Sequence, residues 1–116
     1  MGIIGRIIGA LSKGPAIQNL ENVDMVVSMK DGGILMPIVC SKHLDGSDEI
    51  FNLVKTKIEN YINTIDLPAF KQEYQNPLYI QIEMNCVKKP DQRILNELDL
   101  LNERFSGKQI RFSWKS

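Results

Sequence analysis

The chain has 116 residues, 43% of them hydrophobic and 24% charged, which makes one domain's worth of sequence, too apolar to stay disordered. Its 14 basic and 14 acidic groups cancel, and they balance within each half of the chain, so the basic excess expected of a nucleic-acid binder is missing. Two cysteines, Cys40 and Cys86, are too few for a disulfide framework; both fall in apolar strand-like runs, which predicts free buried thiols in a reducing, cytoplasmic setting.

The first 20 residues contain Arg6 and Lys13 but no acid. At helical spacing Ile3, Ile4, Ile7, Ile8, Ala10 and Leu11 fall on one side, and Gly2, Gly5, Arg6, Gly9 and Lys13 on the other. This predicts an amphipathic helix over residues 1–13, ended by Gly14-Pro15. Three glycines weaken it by about 1 kcal/mol each against alanine, so it needs a surface to dock on. It is too short to span a membrane, which takes ~20 apolar residues, and it lacks the apolar core and cleavage site of a signal peptide.

From residue 23 the period changes to two. Val23, Met25, Val27 and Met29 alternate with Asp24, Val26, Ser28 and Lys30, predicting a strand over 23–29 with the first set inward. Asp31-Gly32-Gly33 is a hairpin turn, and a return strand runs over 34–41, with Pro37 marking an edge or bulge. Ser47 caps a helix that opens on Asp48 and Glu49; Ile50, Phe51, Val54, Ile58, Tyr61, Ile62 and Ile65 form its inner stripe, and Pro68 stops it. Residues 69–76 read as a polar-aromatic connection. The next strand puts Leu78, Ile80, Ile82, Met84 and Cys86 inward, with Tyr79, Gln81, Glu83 and Asn85 outward. Pro90 starts a second helix with Ile94, Leu95, Leu98, Leu101 and Phe105 inward, ended by Gly107, and Ile110, Phe112 and Trp114 mark a last strand. The expected fold is α+β: a two-layer sandwich, a four-stranded mixed sheet with two long helices on one face, plus the N-terminal amphipathic helix. Residues 1–20 form the N-terminal segment and 21–116 a single domain.

Nothing in this pattern supplies chemistry. His43, the one imidazole, sits with Ser41, Ser47 and Asp45 on a turn, where neighbours in sequence seldom converge on one reacting atom. His43 with Asp45, Asp48 and Glu49 lacks the spacing of a zinc or calcium site, and no glycine run matches a phosphate loop. No catalytic residue, metal or cofactor is therefore expected.

Ser41-Lys42-His43-Leu44-Asp45, between a strand and a helix opening Asp48-Glu49, resembles a family of small uncharacterised bacterial proteins known as a domain of unknown function. Its members share the β–β–His-Leu-Asp–α–β–α–β layout over residues 22–114; where they carry a bulky aromatic after the Asp, this chain has Gly46. The opening Met1-Gly2-Ile3-Ile4 is similar to short amphipathic bacterial peptides that act on membranes. The resemblance implies a role as an immunity protein, a cytoplasmic inhibitor that binds and neutralises a cognate bacterial toxin. Two other readings compete with it: a peripheral membrane protein anchored by residues 1–13, and a small enzyme of uncharacterised type. For an inhibitor, the expected partner contacts are the carboxylates Asp45, Asp48 and Glu49 and the outward strand residues Tyr79 and Glu83, since acidic groups steer association with a basic cleft and an aromatic can anchor it. The stripe Ile3, Ile4, Ile7, Ile8 and Leu11 is the expected docking face, toward the protein's own body, a partner or a membrane.

Overall fold

A computed structural model of the chain describes residues 16–116. The helix expected over residues 1–13 lies outside the described residues. The described chain is α+β, with strands β1 (Val27–Ser28) and β2 (Ile34–Val39), helices α1 (Asp48–Ile65) and α2 (Pro68–Glu73), strand β3 (Ile80–Asn85), helix α3 (Gln92–Phe105), a 3₁₀ turn (Ser106–Lys108) and strand β4 (Ile110–Lys115). The strands make an open mixed sheet in the order β1-β2-β3-β4; β1 is antiparallel to β2, and the other neighbours are parallel. Parallel neighbours need a crossover, and here α1 with α2, and then α3, provide it.

Alternation along the strands sorts the two faces. Ile34, Met36 and Ile38, Ile80, Ile82 and Met84, and Ile110 and Phe112 are buried. They form one core cluster with Val54, Ile58, Tyr61 and Ile65 of α1 and Ile94, Leu98, Leu101 and Phe105 of α3. Both long helices start as the sequence requires. The Ser47 hydroxyl accepts from the Ile50 amide, and the Asp91 carboxylate accepts from the Arg93 amide, so each cap satisfies a donor that the first turn leaves open. The hairpin turn forms at the expected place, with Gly32 in the left-handed region at φ 95°.

Several expected elements differ. The strand expected over 23–29 pairs only at Val27 and Ser28, and Met25 and Met29 are exposed while Val23 and Val26 pack on the core. Leu78, expected inward, is 64% exposed because the strand begins only at Ile80. Pro68 does not stop α1, which ends at Ile65; it occupies the first turn of α2, where its missing amide costs nothing, and the Phe70 and Tyr74 rings meet at a tilt with centroids 4.9 Å apart. Gly107 is not the end of α3 either. The chain tightens into the 3₁₀ turn, and the left-handed residue is Gln109, at φ 60°.

The shortness of β1 has a cause in β2. Pro37 has no amide to offer a neighbour, and its carbonyl accepts from the Tyr61 hydroxyl at 2.6 Å. The same hydroxyl accepts from the Asp24 amide at 2.9 Å, so a side chain from α1 stands where strand backbone would pair. Asp24 then takes the Val39 amide on Oδ2 at 3.0 Å and Lys57 on Oδ1 at 2.8 Å. Lys57 is fully buried, and its ammonium also donates to the carbonyls of Gln18, Asn19 and Asn22 at 2.7–3.1 Å. Farther along, Ile17 bridges to Cys40 and the Ser41 amide donates to the Ala16 carbonyl. The outer edge of β2 is thus completed by side chains and loop carbonyls.

The outer edge of β4 is blocked by one residue. Asn102 of α3 accepts from the Phe112 amide at 2.7 Å and donates to the Phe112 carbonyl at 2.8 Å. Its side-chain amide therefore does what a facing strand residue would do.

Candidate functional site

Tyr79 immediately precedes β3, on the sheet face opposite the core cluster. Its ring lies across Gly33, where a Cβ would run into the ring carbons, so any larger residue there would displace the ring from this position. Its hydroxyl hydrogen-bonds both carboxylate oxygens of Asp31 at 2.9 and 3.0 Å, and the Arg111 guanidinium stands 4.4 Å from the ring centroid. The Gly33 amide, then the Tyr79 hydroxyl, hold the Asp31 carboxyl below its ordinary range, and the bond to Asp31 raises the Tyr79 phenol. Along the same face Gln81 donates to Ser113 at 2.9 Å, and Glu83 lies 3.7 Å from Lys115. Asn85 Oδ1 is buried with no hydrogen-bond partner among the described residues. The β3–β4 half of this face is consequently polar, with one clamped aromatic.

Its β1–β2 half is apolar. Val27 pairs with Leu35, which places both on the Tyr79 side, together with Pro37 and Val39. Val39 and Met25 are each 57% exposed, and Met29 is exposed too. Beside Val39 a hollow of about 480 Å³ is lined by Val23, Asp24, Ser41 and the loop residues Gln18, Asn19 and Asn22.

The acidic turn lies elsewhere. It follows the C-terminal end of β2, whereas Tyr79 precedes the N-terminal end of the parallel β3, and a six-residue strand separates these levels by roughly 20 Å. Here Asp45 accepts from the Ser47 amide at 3.0 Å; the Ser47 hydroxyl and then its amide keep the Asp45 carboxyl below its usual range. Asp48 pairs with Arg93 at 2.7 Å, and Arg93 also donates to the Gly46 carbonyl and lies 4.0 Å over the Phe51 ring. Gly46 is pressed against Asp91, whose carboxylate would stand 2.5 Å from a Cβ at that position. Among the described residues Glu49 alone of the three carboxylates has no partner. The structure thus brings Tyr79 and Glu83 onto one face and gathers Asp45, Asp48 and Glu49 around the start of α1, and it does not bring the two groups together.

His43 Nε2 lies 3.2 Å from the Lys89 carbonyl and Ser41 Oγ donates to the Ala16 carbonyl, so the serine, histidine and aspartate of the turn each have a different partner. Cys40 and Cys86 are free and buried. The β2–β3 register continues to set them side by side, as the Cys40 amide donates to the Asn85 carbonyl; the Cys86 hydrogen bond and then burial push the Cys40 thiol up. No group of three metal-binding side chains occurs among the described residues, and none of their helices is long and apolar enough to cross a membrane.

Asp31 and Arg111, which clamp Tyr79, have no signal in the sequence, since each comes from a different strand end. The glycine pair beside Asp31 is the one local hint: a second glycine where a hairpin needs only one marks a close approach. No family model, no curated protein and no solved structure matches the chain.

Proposed function

We propose that the chain is a non-enzymatic binding protein, an immunity-type inhibitor that neutralises a bacterial protein toxin in the cytoplasm. In this reading it belongs with the small His-Leu-Asp domain proteins that residues 41–49 resemble, and both long helices form one layer behind the sheet, with the helix of residues 1–13 as an added element. The observation that carries the reading is the face around Tyr79. A rigid aromatic held by Asp31, Gly33 and Arg111 is pre-organised, so little side-chain entropy is lost when a partner covers it. Support also comes from the edges: Pro37, Tyr61 and Asp24 occupy one, and Asn102 occupies the other, which leaves the face for recognition in place of strand addition.

Within this proposal Tyr79 and Glu83 are the principal contacts. Asp45 and Asp48 are already engaged by Ser47 and Arg93, so Glu49 is the carboxylate of that turn best able to steer a basic partner. Co-expression with any candidate toxin encoded beside its gene would test the proposal, with survival and calorimetric affinity as readouts. The double variant Tyr79→Ala/Glu83→Lys is expected to weaken binding about thirtyfold or more, a hot-spot loss, with its fold intact. Undiminished affinity would move the interface off this face, and absence of both protection and binding would remove the inhibitor reading.

A further inference from the structure

We infer that Cys40 and Cys86 form an oxidation site, a dithiol held across β2 and β3 that peroxide closes to a disulfide within the chain. Reduced, the pair belongs to the core. Oxidised, it becomes a covalent strap between the C-terminal ends of the two strands.

The register carries the inference. Val39 pairs with Asn85 in the parallel ladder, and the Cys40 amide donates to the Asn85 carbonyl at 3.0 Å, so the next residue of each strand faces the other. Alternation continues the buried rows through Ile38 and Met84 to both cysteines, which are buried on the same face. Neighbouring strands lie about 4.8 Å apart, inside the Cα separation of about 4.4–6.8 Å that a disulfide spans. The two side chains also lean the same way. The Cys40 thiol donates to the Ile38 carbonyl at 3.8 Å and the Cys86 thiol to the Met84 carbonyl at 3.6 Å, each two residues back on its own strand. On parallel strands this keeps the sulfurs level, and thiols are weak donors, so these bonds are readily given up. Side-chain rotation then joins the sulfurs with the backbone in place.

The two thiols are not equivalent. The hydrogen bond between them holds the Cys86 thiol below its ordinary value, whereas that bond and then burial push the Cys40 thiol up. Cys86 is also less enclosed, 9% exposed against 4%, and Val87 beyond it is exposed. Cys86 therefore supplies the attacking thiolate. Its sulfur takes one oxygen of hydrogen peroxide, the O–O bond breaks, and the leaving hydroxide recovers the proton that Cys86 gave up, as water. The Cys40 sulfur then attacks the sulfur of the Cys86 sulfenic acid. The S–S bond forms, the S–O bond breaks, and hydroxide leaves with the Cys40 proton as a second water. Two thiols have lost two electrons, and the peroxide has gained them.

The test uses the full-length chain, which has no other cysteine. Equimolar hydrogen peroxide should give a monomer without free thiols in urea, whose tryptic peptides 31–42 and 72–88 are joined until dithiothreitol is added. Cys40→Ala should stop at a Cys86 sulfenic acid that dimedone traps, and Cys86→Ala should react about tenfold or more slowly. The effective concentration of the dithiol, read from its equilibrium with glutathione, should be about tenfold or more higher in the native protein than in urea. Equal values overturn the inference, because the fold would then do nothing to favour the bond. Disulfide-linked dimers as the main product, or a wild type that keeps both thiols under peroxide, overturn it as well.

Discussion

At the β2 edge the backbone is completed by a buried ammonium, a carboxylate and a phenol hydroxyl acting together; at the β4 edge a single neutral amide does the same work. Both edges would otherwise present unpaired amides and carbonyls to any extended chain. The difference lies in coupling. Lys57, Asp24 and Tyr61 share partners, so losing one leaves the others unsatisfied inside the protein, and the ammonium also fixes the loop of residues 18–22. Among the described residues the Asn102 side chain hydrogen-bonds Phe112 alone, and water can replace it. One edge is therefore a structural keystone, the other a local guard.

The largest expected effect comes from breaking the charged edge. Lys57→Met should destabilise the protein by about 2–4 kcal/mol in urea unfolding, because it strips the partly exposed Asp24 carboxylate and three carbonyls of the buried ammonium that joins them. Adding Asp24→Asn should recover part of that loss; a double variant as unstable as the sum of the two singles would show that the pair does not act as a unit. Tyr61→Phe isolates the neutral member of the same web. It should cost about 2 kcal/mol, since the Pro37 carbonyl loses its donor and the Asp24 amide its acceptor. Asn102→Ala should cost least, about 1–2 kcal/mol, but it alone should make the protein self-associate with rising concentration in sedimentation velocity, because it uncovers the edge of β4. If Lys57→Met self-associates while folded and Asn102→Ala does not, the roles of the two edges are reversed.

What the sequence showed of this arrangement follows the range of the interactions. The period-two run of β3, the Ser47 cap and the Asp31-Gly32-Gly33 turn are local, and they appear where expected. Pro37 also announced an edge, because a missing amide is a property of one residue. The mis-sized β1 shows the limit: residues 23–29 alternate well, yet pairing stops at Val27, because Tyr61, a helix away, takes the bond that the strand would need. Lys57 falls on the buried side of α1 between Val54 and Tyr61, and a cation within an apolar stripe is a sign of a buried partner; which partner depends on the long-range path of residues 18–24. At the candidate site, Tyr79 and Glu83 share a strand and so a face, which alternation reveals. Their separation from Asp45, Asp48 and Glu49 depends on β2 and β3 being parallel, and that direction is set by the crossover helices.

Pro37 has a bearing on synthesis as well as on the finished sheet. As the chain leaves the ribosome, β2 emerges with the two-residue β1 as the one strand ahead of it, beyond the single bridge from Ile17 to Cys40, while β3 follows only after both helices of the crossover. Long loops must close before the parallel neighbours reward them, so an apolar strand waits through several seconds of translation with both sides open. A proline in its middle interrupts the run of donors during that interval and makes β2 a poor template for the nascent strands of other copies.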